Sequence, residues 1–138
     1  MKYIGIWLDK DKAHVVTLMK EHEKMTTIES NMEHFHPSGG SGTRFKGGPQ
    51  DVVQDSKYLE KEKQQHKVYF RSIAPYLKGA HELAIFGPAQ TGMRFAKHLE
   101  RYNYMLFSKL KGVEKADSMT ENQIKALVKN YFGIHNEI

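Results

Sequence analysis

The order of the apolar segments constrains the fold of this 138-residue chain more than any other feature of its sequence. Three short β-rich segments come first, separated by polar turns, and helix-type and strand-type patterns then alternate to the C-terminus. Short turns join antiparallel strands, whereas strand–helix–strand units join parallel ones. The sequence therefore predicts an α/β fold of order βββαβαβα. In this fold three antiparallel strands are extended by parallel additions, with helices packed on the sheet.

The first three strands are predicted from segments near the N-terminus. YIGIWL at Tyr3–Leu8 and AHVVTLM at residues 13–19 flank the polar turn DKDK, which indicates a hairpin. KMTTIESNMEHF at residues 24–35 alternates less cleanly. We expect it to form a third antiparallel strand with one face in solvent.

A long helix is predicted at residues 51–78, beginning at a cap formed by Asp51. Pro75 should shorten its last turn, and Gly79 should end it. His66 falls on the apolar side of this helix and is expected to be partly buried and hydrogen-bonded rather than to act as a base. The other members of the apolar stripe are Val52, Leu59, Tyr69 or Phe70, Ile73 and Leu77.

The C-terminal half continues the alternation of strands and helices. Strands are predicted at residues 82–88 and 104–113, with Lys109 and Lys111 on a common face of the second. The intervening helix, residues 89–101, is expected to start near Pro88 and to pack through Met93, Ala96 and Leu99. Thr120 and Gln123 predict a capping box for a last helix, whose apolar positions are Ile124, Leu127, Val128 and Tyr131.

The composition predicts one soluble intracellular domain with an affinity for polyanions. The net charge is +5 and the pI is near 9.3. Residues 41–71 hold seven cations against four acids, and residues 87–115 hold six against two. Cations that neutralise phosphates release condensed counterions. The absence of cysteine excludes thiolate metal sites and thiol nucleophiles, and the N-terminal apolar run is too short for a signal peptide or a membrane span.

A glycine-rich basic loop, HPSGGSGTRFKGGPQD, lies between the third strand and the long helix. Composition alone favours a flexible surface loop with solvated cations over residues 36–50. Its glycines would also let the backbone approach phosphates closely, next to Arg44 and Lys46.

This order of segments around a glycine-rich loop resembles the middle domain of the eukaryotic and archaeal peptide-chain release factors and their relative Pelota. The matching segments span nearly the whole chain: YIGIWLDKDKAHVVTL, SGGSGTRF, KYLEKEKQQHKVYF, LAIFGPAQTG and VEKADSMTENQI. The resemblance implies a ribonuclease-H-like mixed sheet in a single release-factor-middle-domain-like domain, residues 1–138. It also implies a similarity to the stand-alone bacterial relatives that lack the stop-codon-reading domain.

The resemblance implies a comparison of this loop with the Gly-Gly-Gln loop of the release factors. That loop enters the ribosomal peptidyl-transferase centre and helps to position the water that hydrolyses peptidyl-tRNA. Gly39, Gly40 and Arg44 match that loop, and Ser41 stands in place of the glutamine. A serine side chain has no amide donor and a shorter reach. We therefore expect no termination by the family mechanism and no catalytic residue.

The sequence thus predicts a cytoplasmic, translation-related factor that binds the ribosome, rRNA or tRNA without catalysis, metal, cofactor or membrane. The residues expected to contact RNA are Gly39, Gly40, Ser41, Arg44, Lys46, Lys57 and Lys61. Two alternatives stay open. One is a hydrolase, acting on peptidyl-tRNA or as a metal-dependent nuclease, and the other is a protein-interaction module in which the loop contacts a polypeptide.

The nuclease alternative requires several carboxylates around Mg²⁺. Asp9 follows the first strand, but Glu82 and Asp117 are unconvincing partners, so the sequence favours a hairpin-turn role for Asp9. His34 and His36 could share a strand face and bind a metal, yet a third ligand is not evident. Two polar histidines at a strand end are the simpler interpretation.

Overall fold

The computed structural model describes residues 1–31, 49–88 and 90–134, and of residues 49–59 the helical backbone alone. Its strands are β1 (Tyr3–Leu8), β2 (Lys12–Met19), β3 (His22–Glu29), β4 (Glu82–Gly87) and β5 (Leu110–Lys115). Its helices are α1 (Pro49–Ile73), α2 (Thr91–Tyr102), the four-residue α3 (Tyr104–Phe107) and α4 (Glu121–Phe132). Apart from α3, this order is the predicted βββαβαβα, and the predicted mixed α/β fold is confirmed.

The five strands form one sheet in the order β3-β2-β1-β4-β5. β1 pairs antiparallel with β2, and β2 antiparallel with β3, whereas β4 adds in parallel to β1 and β5 in parallel to β4. The carboxylate of Asp9 accepts hydrogen bonds from the backbone N–H groups of Asp11 at 2.8 Å and Lys12 at 3.0 Å, and so closes the β1–β2 turn. This is the hairpin role that the sequence favours for Asp9.

Helices cover both faces of the sheet. Ile4, Ile6 and Leu8 point from β1 into a core with residues of α1 and α2, whereas Trp7 points into a second core with residues of α4. Successive side chains of a strand point to opposite faces, so the apolar run of the central strand supplies both cores. The result is a three-layer arrangement with α1 and α2 on one side of the sheet and α4 on the other.

The predicted capping box of α4 is confirmed. Thr120 Oγ1 accepts a hydrogen bond from the N–H of Gln123 at 3.1 Å, and Gln123 Oε1 accepts one from the N–H of Thr120 at 2.9 Å. Ile124 and Val128 of the predicted stripe are fully buried against the sheet. The capping box therefore fixes where α4 begins, and with this start the apolar side of the helix faces the second core.

The third strand is shorter than predicted, and one of its faces is largely exposed. It ends at Glu29, Asn31 follows with a φ of 53°, and residues 32–35 lie outside the described residues. Ile28 packs on the core of α1 and α2, and Met25 packs on the core of α4. On the Met25 face, Glu23, Thr27 and Glu29 are exposed, so the strand has the solvent-exposed face that the sequence predicts.

The long helix begins at Pro49, so Pro49 and Gln50 belong to α1 rather than to the preceding loop. The α-helix ends at Ile73, and a 3₁₀ turn, Ala74–Leu77, replaces the predicted last turn. Pro75 has no N–H to donate, which explains this tightening. Gly79 follows with a φ of 82°, a left-handed conformation that glycine adopts without strain.

Two predictions between β4 and β5 were wrong in detail. α2 starts at Thr91, and it packs through Phe95, Ala96 and Leu99, whereas Met93 is 53% exposed. The segment predicted as strand 104–113 begins instead as α3, because the Asn103 side chain accepts a hydrogen bond from the N–H of Leu106 at 3.4 Å and caps a helical turn. β5 starts only at Leu110, so Lys109 precedes the strand on which it was predicted.

Candidate nucleic-acid interface

Most of the residues predicted to contact RNA lie outside the described residues. These are Gly39, Gly40, Ser41, Arg44 and Lys46, together with the side chain of Lys57, whose backbone belongs to α1. His34 and His36 are outside them as well. Lys61 is exposed on α1 and lines a shallow groove beside the end of β3, with Gln64 and Gln65. The structure thus places Lys61 on one side of α1 and a larger group of cations on the other.

That larger group surrounds a groove of about 480 Å³ between α1 and α2. Five cations and one carboxylate line it, together with histidine and aromatic side chains. From α1 come Glu62, Lys63, His66, Lys67 and Phe70, and from α2 come Arg94, Lys97, His98, Arg101 and Tyr102. We call this the α1–α2 groove. Among the residues that the structure describes, five cations and one acid line this groove, so it is strongly positive.

Helical periodicity explains why these cations converge. Lys63 and Lys67 are four residues apart on α1, and Arg94, Lys97 and Arg101 follow at spacings of three and four on α2, so each set shares one helix face. A buried aromatic contact below the groove holds the two faces together, since the rings of Phe70 and Phe95 lie 5.2 Å apart. The core therefore fixes the relative positions of the two rows of cations.

Tyr102 lies at one end of the groove with its side chain 52% exposed. The Lys67 ammonium is 5.3 Å from the centre of the Tyr102 ring, and the guanidinium carbon of Arg101 is 5.6 Å from it. The hydrogen bond from Lys67 and the positive charges around it lower the pKa of the Tyr102 hydroxyl. The His98 ring is tilted against the same tyrosine, 4.9 Å away. The exposed ring of Tyr102 therefore has positively charged side chains next to it.

Histidines line the groove in their neutral form. His66 is only 7% exposed, and its Nδ1 lies 3.1 Å from the carbonyl oxygen of Glu62. Because a carbonyl can only accept, Nδ1 carries the proton, and Nε2 is left as a buried acceptor for which the described residues provide no partner. Burial, and next the charge of Arg94, lower the pKa of His66, while burial and the charges of Arg71 and Lys67 lower that of His98. The sequence predicts His66 as a hydrogen-bonded, partly buried histidine, and it is hydrogen-bonded and buried.

A second basic groove, of about 730 Å³, lies on the other side of Arg71. Its lining is more apolar and includes Ala74, Pro75, Ala80, Met105 and Leu106, with Arg71, Lys78 and Lys109 as its cations. Met105 and the adjacent Tyr104 are large, exposed side chains. We call this the α1–α3 groove. Arg71 of this groove also acts through its charge on His98 and Tyr102 of the α1–α2 groove, whose pKa values it lowers.

The metal-dependent nuclease alternative starts from Asp9, whose surroundings the structure shows. The Asp9 carboxylate is engaged in the β1–β2 turn, and within residues 1–31, 49–88 and 90–134 no three His, Asp or Glu side chains are grouped to hold a metal ion. Among the helices of that part of the chain, none has the length and apolar character to cross a bilayer.

The sequence locates the two basic segments but not the groove that joins them. The cation count of residues 87–115 signals α2, yet Lys67, Arg94, Lys97, Arg101 and Tyr102 were not among the predicted contacts. The i, i+3, i+7 spacing of the α2 cations was the available signal. This spacing does not show that α2 packs against α1, because that packing depends on contacts between residues far apart in the chain.

Solved structures of translation factors share this architecture. Pelota of Archaeoglobus fulgidus superimposes with a TM-score of 0.58 at 10% identity, covering 94% of this chain and 31% of that one. Pelota of Thermoplasma acidophilum gives 0.55 at 18%, covering 96% and 33%. An archaeal translation termination factor gives 0.53 at 11%, covering 96% and 39%.

These likenesses show the fold, which is that of a domain in the release factor and Pelota proteins. The chain spans between about a third and two fifths of the length of the proteins it matches. No protein-family model matches the sequence, and no curated protein matches it either.

Proposed function

We propose that this chain is a cytoplasmic, translation-related RNA-binding protein that contacts rRNA or tRNA, on or off the ribosome, without catalysing a reaction. The supporting observation is the α1–α2 groove, in which five cations face a single carboxylate. Lysine and arginine side chains supply most contacts to phosphate oxygens. The likeness in fold to Pelota and to a translation termination factor supports the assignment to translation.

The glycine-rich loop extends the proposed interface. It directly precedes α1 in the sequence, and it brings Arg44 and Lys46 with the backbone of Gly39, Gly40 and Ser41. Lys57 and Lys61 add positive charge along the same helix. In this proposal the groove provides the fixed part of the RNA contact, and the loop supplies backbone N–H groups to phosphates.

The test compares two triple variants that remove the same charge. The groove variant is Lys67→Ala/Arg94→Ala/Lys97→Ala, and the control, Lys20→Ala/Lys24→Ala/Lys115→Ala, removes three exposed lysines outside the groove. Binding to ribosomes is measured by co-sedimentation, and binding to fluorescein-labelled RNA by anisotropy, from 50 to 300 mM KCl.

We expect the groove variant to bind about ten-fold more weakly or worse, with the slope of log K against log salt reduced by about two to three. The control should stay near the unchanged protein. Equal losses in both variants would show that net charge alone attracts RNA and would refute the groove. Absence of any binding at 50 mM KCl would refute RNA binding altogether.

The non-enzymatic part of the proposal has its own test. Incubation with labelled peptidyl-tRNA, with and without ribosomes, should release no peptide, because Ser41 cannot replace a glutamine amide. Peptide release that is lost on Ser41→Ala, or RNA cleavage that requires Mg²⁺ and is lost on Asp9→Ala, would establish the hydrolase alternative.

A further inference from the structure

We propose that the α1–α2 groove selects single-stranded RNA, and that Tyr102 is the platform on which one unpaired base stacks. This inference rests on the proposed function, since it names the class of RNA that the groove takes. It starts from the aromatic side chain rather than from the cations. Phosphate contacts alone do not distinguish a single strand from a duplex.

The Tyr102 ring has the exposure and the surroundings of a stacking platform. Tyr102 is 52% exposed, whereas Phe95 on the same helix is fully buried. The His98 ring lies 4.9 Å from the Tyr102 ring, tilted by 43°, and contacts one part of its surface. A tyrosine has only two side-chain torsions, so little entropy is lost when a base packs on it.

Two cations lie over this ring, and in this proposal a stacking base moves them onto the phosphates that flank it. Lys67 and Arg101 lie 5.3 and 5.6 Å from the ring centre, and Arg94 and Lys97 continue along the groove. Proteins that bind single-stranded nucleic acid combine a positive groove, which tracks the backbone, with aromatic rings, which stack the bases. Both parts are present here within one groove.

The α1–α3 groove gives the strand a path beyond Tyr102. Arg71 lines the α1–α3 groove and acts through its charge on Tyr102 of the α1–α2 groove. The exposed Tyr104 and Met105 follow Tyr102 closely in the chain. Lys109 lies further along the second groove. A strand that leaves Tyr102 toward α3 would therefore meet both apolar surface and positive charge.

A duplex cannot use this arrangement. Its bases are stacked on one another and turn only their edges outward, so an exposed ring gains a stacking partner only at a duplex end. Unpaired bases in loops and single strands have free faces, and sequence-tolerant stacking on aromatic side chains contributes strongly to their binding. The exposed ring therefore favours single strands over helical RNA.

The experiment measures the affinity of the full chain for three fluorescein-labelled ligands at 100 mM KCl. These are a 12-nucleotide single-stranded RNA, the same sequence as an RNA duplex, and the single strand as DNA. Each is tested with the unchanged protein, with Tyr102→Ala, with Tyr102→Phe, and with Tyr76→Ala as the control. Tyr76 is 48% exposed but lines neither groove.

Single-stranded RNA should bind at least about five-fold more tightly than the duplex. Tyr102→Ala should weaken binding of the single strand by about 5- to 150-fold, without a change in the salt slope, while Tyr102→Phe and Tyr76→Ala stay within about two-fold. The single-stranded DNA arm reports whether the 2′-hydroxyl contributes to the same site.

Failure of this inference differs from failure of the proposed function. If the duplex binds as well as the single strand, or Tyr102→Ala binds like the unchanged protein, stacking is refuted while the cation-dependent salt slope still supports RNA binding. If the groove cations prove to have no effect, both proposals fall. Circular dichroism and thermal melts confirm that the substituted chains are folded.

Discussion

At Gly5 the sheet and α4 approach more closely than a larger side chain would permit. A Cβ at this position would lie 2.5 Å from Cγ2 and 2.6 Å from Cγ1 of Val128. Both residues are at the centre of the second core, where Val128 is fully buried. The contact therefore depends on the absence of a single carbon atom.

Gly5→Ala should destabilise the protein by about 1–3 kcal/mol, because the added methyl forces α4 away from the strand or Val128 out of its rotamer. Urea unfolding monitored by the fluorescence of Trp7 measures this change. The double variant Gly5→Ala/Val128→Ala should be more stable than the sum of the two single effects predicts, since the new methyl fills part of the space that the valine leaves. Strict additivity would contradict the steric explanation.

At the scale of elements, the sequence predicted best the helix ends that are marked by capping residues or proline. The Thr120 and Gln123 pair marked the start of α4, and Pro75 marked the end of α1. α3 was missed because YMLF has strand-type composition, whereas the Asn103 cap turns it into a helix. The periodicity of apolar residues indicates which face of an element is buried. It contains no information about a single side-chain hydrogen bond that changes the backbone conformation.

The candidate site was predictable only in its charge. The excess of cations in two segments could be counted, but the juxtaposition of Lys67 with Arg101 and Tyr102 follows from the packing of α1 on α2 across more than thirty residues of sequence. The Phe70–Phe95 contact that sets this packing is a long-range one. No local pattern specifies which helix faces will meet.

The capping box of α4 provides a test at this scale. Thr120→Ala leaves the N–H of Gln123 without its 3.1 Å acceptor, and should destabilise the protein by about 1 kcal/mol. Thr120→Ser keeps an oxygen in the same place and should restore most of the loss. Chemical denaturation of the three proteins measures both effects. A serine variant as unstable as the alanine variant would show that the threonine methyl, rather than the cap, stabilises the helix.

At the scale of the whole molecule, three histidines make stability depend on pH. Burial is the largest cause that lowers the pKa of each of His14, His66 and His98. They belong to different layers, since His14 is on β2 with its Nδ1 2.9 Å from Thr27 Oγ1, and the other two line the α1–α2 groove. All three are held neutral by the folded structure at a pH where an exposed imidazole begins to charge.

The free energy of unfolding should therefore be constant above about pH 7.5 with respect to these groups, and should fall as the pH drops through about 6.5. In that window the unfolded chain binds protons that the folded chain refuses, which favours unfolding. Glu23, whose pKa is lowered first by its hydrogen bond to Lys129, acts separately, because its contribution is lost only below about pH 4.5.

Urea denaturation between pH 8 and pH 5 measures how steeply the free energy of unfolding depends on pH. His66→Leu should reduce this slope by up to about 1.4 kcal/mol per pH unit. The comparison of slopes separates ionisation from packing, since a packing change shifts the whole curve equally at pH 8 and pH 5. An unchanged slope in His66→Leu would show that His66 is charged to the same extent in the folded and unfolded chains, and would contradict the effect of its burial.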